Sequence, residues 1–150
     1  MNGRERGFTL IELMIVLVVV AILSTIAYSS YQSQVEKTRI GQLHEALMTA
    51  GVLAERNVVA NNEYPATLSP SYPDLFTYDY KLSTDKTRFV LSGVEKTSRF
   101  RLWSGINSAG TRCTCRQCSA PNIPDADSSA PAATDFAATT KSCPAGTEAF

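Results

Sequence analysis

The sequence has no net charge and almost no histidine. Fourteen basic and fourteen acidic residues cancel, and His44 is the single histidine among 150 residues. A zero balance excludes a global electrostatic pull toward nucleic acid or anionic lipid. One histidine leaves little for acid–base chemistry. His44-Glu45 is followed closely by no second histidine or cysteine, which excludes a zinc-protease helix. His44 therefore reads as an ordinary helix-surface residue. No Ser/His/Asp set, phosphate loop or metal motif is present, so no enzyme and no cofactor is expected. There is one long apolar run and no second, which excludes a polytopic membrane protein. A hydrophobic content of 44% excludes a disordered charged tail. No proline precedes Pro65, and no glycine falls between Gly7 and Gly41. The apolar run thus meets no helix breaker before Gly41.

What the sequence does hold is segregated. From Phe8 to Tyr28, 17 of 21 residues are apolar, and residues 13–35 carry no charge. At about 1.5 Å per residue this stretch can cross a bilayer as a helix. Arg4 and Arg6 precede it, and no small-x-small cleavage site follows it. A signal anchor with its basic end in the cytoplasm is the plain reading. Glu12 does not fit that reading. A carboxylate inside an apolar run costs about 2.5 to 3.5 kcal/mol on insertion scales unless something compensates it.

Gly7-Phe8-Thr9-Leu10-Ile11-Glu12 resembles the class III signal of type IV pilins and related pseudopilins. The match lies in a short basic leader, a glycine, an aromatic residue, a glutamate four positions later, and an apolar helix. The resemblance implies that a prepilin peptidase of the inner membrane cuts between Gly7 and Phe8 and methylates the new amine. Residues 1–7 are then a leader. Residues 8–35 serve first as a transmembrane anchor and later as a fibre core. Residues 36–150 form an amphipathic half-helix and a periplasmic or extracellular head. Glu12 would pair with the Phe8 amine of a neighbouring subunit, neutralising two charges in a dry fibre. Major pilins commonly carry a glycine and a proline in the middle of this helix. Ala21 and Ser29 stand at the corresponding positions here, a departure that favours a minor subunit.

Beyond the apolar run, Val35, Ile40, Leu43, Leu47, Ala50 and Ala54 recur at steps of three and four, with charges on other faces. The spacing predicts one helix that stops near Asn61-Asn62, ahead of Pro65. A loop rich in proline, serine and tyrosine follows, from Tyr64 to Pro73. Phe76, Tyr78, Tyr80 and Leu82 alternate with polar residues as in a half-buried strand. Further strands are predicted at 87–92, 98–103 and 111–116, with a hairpin connection at 104–110. The expected fold class is α+β: a long N-terminal helix packed on a four-stranded antiparallel sheet. The resemblance adds a disulfide-bonded C-terminal loop.

The four cysteines are Cys113, Cys115, Cys118 and Cys143. Three pairings are possible, and spacing does not choose among them. Cys113 and Cys115 point the same way on a strand and make poor partners. The resemblance implies that Cys143 bonds to one of the other three. A four-thiolate zinc site is the rival, because C-x-C-x-x-C is also ligand-like. An oxidising compartment outside the cytoplasm favours the bridge. Residues 119–142 read as a low-complexity exposed loop, with Ile123 and Phe136 as its large apolar anchors.

Lys96, Arg99, Arg101, Arg112 and Arg116 form a basic strip without an acid among them. With Trp103 placed beside Arg99 and Arg101 on one strand face, phosphate contact and base stacking are conceivable. The plain alternative is a solvated sheet face or a contact with acidic neighbours. The leading expectation is therefore a structural subunit of a type IV pilus. It would assemble with other pilin subunits, residing in the inner membrane first and in an extracellular fibre afterwards. A type II secretion pseudopilin and a DNA-binding minor pilin are the alternatives.

Overall fold

The computed structural model describes residues 9–97, 99–117, 121, 136–137, 143–144 and 147–150. Gly7, Phe8, Cys118 and Ile123 lie outside this set. The order of elements is α1 (Leu10–Asn61), β1 (Phe76–Leu82), β2 (Phe89–Glu95), β3 (Trp103–Asn107), β4 (Arg112–Cys115) and β5 (Glu148–Ala149). Two compact units result. The first runs to Thr38 and the second from Arg39 to Phe150.

Helix α1 is continuous over 52 residues, holds no proline and runs unbroken through Gly41 and Gly51. It starts at a reciprocal cap. The Glu12 amide donates to Thr9 Oγ1 at 3.3 Å, and the Thr9 amide and hydroxyl donate to Glu12 Oε2 at 3.0 and 2.9 Å. This T-x-x-E capping box satisfies amides that the first helical turn leaves without partners. The helix ends where the asparagines ahead of Pro65 predict. Asn62 takes a φ of 59°, and its amide donates to Val58 O at 2.8 Å. Asparagine tolerates this left-handed terminating conformation better than most residues.

All buried residues of α1 belong to its second half: Ile40, Leu43, Ala46, Leu47, Ala50, Gly51 and Ala54. Leu43, Leu47, Ala50 and Ala54 meet Phe76, Phe89, Leu91 and Ile106 of the sheet in the main core. Tyrosines tie the connection between α1 and β1 to both elements. Tyr64 donates to Glu55 Oε1 at 3.0 Å and Tyr72 to Glu45 Oε2 at 3.1 Å, both on the helix. Tyr78 and Tyr80 of β1 donate to the carbonyls of Ser71 and Pro65 at 2.6 and 2.7 Å. Burial pushes Tyr64, Tyr78 and Tyr80 up to about 12, so these phenols stay protonated donors.

The sheet is antiparallel in the order β1-β2-β3-β4-β5. It has five strands rather than the four expected, because β5 is two residues long and too short to carry a period. The third strand is also displaced. It spans Trp103–Asn107, not 98–103. Alternation at Phe100 and Leu102 suggests a strand there, but Arg101 takes a φ of 48° and the chain turns. The buried Glu95 carboxylate holds that turn by accepting the Phe100 amide at 2.9 Å. The Ser104-Gly105-Ile106-Asn107 run has hairpin composition and is nevertheless strand. Each small or polar residue has a tertiary reason to be there. A Cβ on Gly105 would stand 2.6 Å from the Phe136 ring and 2.8 Å from Trp103. Ser104 donates to Cys113 O at 3.0 Å, and Asn107 Nδ2 to Ala137 O at 2.7 Å.

The central strands β2, β3 and β4 are buried on both faces. Opposite the helix, Val90, Trp103, Cys113, Cys115 and Phe136 form a second core. Phe136 and Ala137 are fully buried. The expectation of an exposed 119–142 loop is thus corrected at these two residues. A disulfide joins Cys113 of β4 to Cys143. Its 30-residue span contributes about 3 to 4 kcal/mol in the chain-entropy account. Cys115 is also disulfide-bonded.

Candidate functional site

Two places carry the predicted site residues, and each belongs to one unit. The first is the amino terminus of α1. Glu12 stands on the first helical turn, exposed, with Oε2 turned back to its own Thr9. The described hydrogen bonds use Oε2 alone, so the carboxylate keeps acceptor capacity on Oε1. The T-x-x-E spacing of Thr9 and Glu12 is itself the sequence signal of this cap. Gly7 and Phe8, the expected processing residues, lie outside the described residues.

Around Glu12 the helix is apolar on every side. From Leu10 to Tyr31 the large apolar side chains are 50 to 78% exposed. An 18-residue window reaches a mean hydropathy of 2.8 with none of it buried, long and apolar enough to cross a membrane. Its few polar side chains fold back on the helix. Ser24 donates to Val20 O at 2.7 Å, Thr25 to Ile22 O at 2.7 Å and Ser29 to Ile26 O at 3.1 Å. Such bonds hide hydroxyls from an apolar surrounding.

The second place is the basic strip. Lys96, Arg99 and Arg101 occupy the turn between β2 and β3, while Arg112 opens β4 and Arg116 follows it. All five are exposed. The proposed stacking residue is not available to a ligand. Trp103 is 1% exposed and meets Phe136 edge to face at 5.3 Å between ring centres. The shared strand face that placed this indole beside Arg99 and Arg101 does not form, because the strand begins only at Trp103. The arginines remain; the base-stacking platform does not.

His44 also departs from its expected surface role. Its ring stacks on Phe150 at 3.7 Å with planes 9° apart, and Nε2 is buried without a hydrogen-bond partner. Burial first, then the Arg116 charge, holds its pKa below the ordinary histidine value. Glu95, Gly105 and Phe136 likewise carry structural work that no local pattern advertises. Among the described residues, no cluster of histidine, cysteine and carboxylate side chains suits a metal ion.

Comparison with known proteins agrees with this geometry at the amino terminus. Residues 2–28 match the prokaryotic N-terminal methylation motif. The type IV major fimbrial protein FimA of Dichelobacter nodosus is 29% identical over 113 residues, covering 60% of this chain and 71% of that protein. The type IV major pilin protein PilE1 of Neisseria gonorrhoeae is 44% identical over 64 residues, 43% of this chain and 34% of that protein. The fimbrial protein EcpB of Eikenella corrodens is 37% identical over 68 residues, 45% of this chain and 42% of that protein. The chain thus spans well under half the length of the latter two relatives. No solved structure matches. The chain carries the prepilin N-methylation motif and is homologous to the type IV major pilins.

Proposed function

We propose that this chain is a structural subunit of a type IV pilus, held in the inner membrane by its apolar half-helix before assembly and exported in the fibre afterwards. One observation carries the reading. Residues 10–31 present large apolar side chains on all sides, and none of them is buried. Such a surface is stable in water only when lipid or other subunits cover it. In order, a prepilin peptidase cuts between Gly7 and Phe8, the Phe8 amine is methylated, and the subunit leaves the membrane for the fibre. There the Glu12 carboxylate meets the Phe8 amine of a neighbour. A buried pair of this kind is unforgiving, because deleting one partner strands the other charge. The fimbrial names of the relatives favour a pilus over a secretion pseudopilus. An unbroken helix through Ala21 and Ser29 supports a minor subunit.

Mass spectrometry of sheared surface fibres tests this directly. The expected result is a mature peptide beginning at N-methylated Phe8, at low abundance relative to a major subunit. Gly7→Ala should leave unprocessed precursor in the membrane. Glu12→Ala should be processed and yet be missing from fibres. Wild-type incorporation of Glu12→Ala would end the charge-pairing account.

A further inference from the structure

An open groove of about 370 Å³ runs along the second half of α1 where the helix meets β2 and β3. Met48, Val52 and Val59 of the helix form its wall, and Phe89 and Ile106 its floor. The helix residues lie at steps of four and seven, on one face. Helix and sheet approach closely here, since a Cβ on Gly51 would come within 2.9 Å of Ile106 Cδ1. The far end stays open. Gly110, with a φ of +81°, has nothing within 4 Å of where a side chain would begin.

Charge distinguishes this groove from an ordinary seam. Arg56 and Arg112 both line it, and both are exposed. Neither guanidinium has a hydrogen-bond or ion-pair partner among the described residues. The one acid of the lining, Glu55, accepts the Tyr64 hydroxyl through Oε1 at 3.0 Å. Two guanidinium groups therefore border an apolar floor against one carboxylate, a net positive lining. A guanidinium beside an apolar wall binds a carboxylate through paired, charge-assisted hydrogen bonds.

We propose that this groove binds a small apolar carboxylate, a ring system or short acyl chain bearing one acid group. The apolar body would lie on Phe89 and Ile106, and the acid group would meet Arg56 and Arg112. The size argues for a small molecule. The volume falls in the low part of the usual range of about 300 to 1,000 Å³ for such sites. A protein partner would need about 800 Å² of surface on each side.

The test uses the full chain in non-ionic detergent with 4-benzoylbenzoate, a photoreactive apolar carboxylate. Neutral 4-methylbenzophenone serves as its charge control. After irradiation, adducts are mapped by mass spectrometry. The carboxylate should label Met48, Val52 or Val59, and an R56Q/R112Q double variant should lose about tenfold or more of that labelling. Val52→Glu, at an exposed position, should abolish it by repulsion, and Val52→Lys should retain it. An intact Cys113–Cys143 peptide and unchanged circular dichroism report that each variant is folded. Should the double variant misfold, the Val52 pair decides alone. Equal labelling of wild type and charge variants overturns the proposal. So does equal labelling by the neutral probe, or adducts confined to residues 10–35, which would report micelle partition alone.

Discussion

One helix passes through two environments. Up to Thr38 it buries no side chain, and its large apolar residues from Leu10 to Tyr31 stand at least half exposed. From Arg39 onward it has seven buried positions, four of them in a core shared with the sheet. The backbone is the same α-helix throughout. What differs is the supply of partners within the chain. The second half is amphipathic, and the sheet satisfies its apolar stripe. The first half is apolar all round, and a helix of that kind needs lipid or neighbouring helices. Helical order is therefore local here, whereas burial depends on who else is present.

Several variants would break or sharpen this contrast. The largest expected effect is at Phe136, which is fully buried against Trp103. Phe136→Ala should destabilise the head by about 3 to 5 kcal/mol. Leu17→Ala should leave the same denaturant midpoint unmoved, because Leu17 is 60% exposed. A shift at Leu17 as large as that at Phe136 would show that the two halves do not behave separately. Cys143→Ser should cost about 3 to 4 kcal/mol in urea unfolding, and reductant should lower wild type at least as far, because it also opens the Cys115 bridge. Thr9→Ala removes the cap at the start of α1 and should cost about 1 kcal/mol, all of it local. Amide hydrogen exchange should speed up in the first turn of the helix and nowhere in the head.

The smallest effect is a pH dependence. The folded pKa of His44 lies below its unfolded value, with burial as the main cause and Arg116 second. The unfolded chain then takes up the proton first as acid is added. Stability from this group is full above about pH 6.5 and is lost as pH falls through the folded pKa. Urea midpoints at pH 7.5 and pH 5 should differ less in His44→Gln than in wild type. Equal differences would remove His44 from the account.

Much of this architecture was legible in the residues. The span and end of α1 followed from the apolar run, the three- and four-residue spacing after it, and the asparagines ahead of Pro65. Strand β1 followed from strict alternation at Phe76, Tyr78, Tyr80 and Leu82. Those signals are local and read out one at a time. The misreadings share a different cause. Ser104, Gly105 and Asn107 look like turn residues because small and polar side chains usually are. Here Gly105 makes room for two aromatic rings, while Ser104 and Asn107 bond to distant carbonyls. Trp103 looked like an exposed platform because nothing nearby predicts that Phe136, 33 positions later, covers it.

By itself the sequence determined the apolar helix, the amino-terminal motif with Glu12, and the segregation of charge behind a zero sum. Each depends on neighbours within a few residues, where periodicity and propensity act. Only the tertiary structure decided the position of β3, the burial of Trp103 and Phe136, the Cys113–Cys143 pairing and the stacking of His44 on Phe150. Those features join residues far apart in the chain. Their outcome depends on which surfaces close on one another, and packing of that kind leaves no period to read.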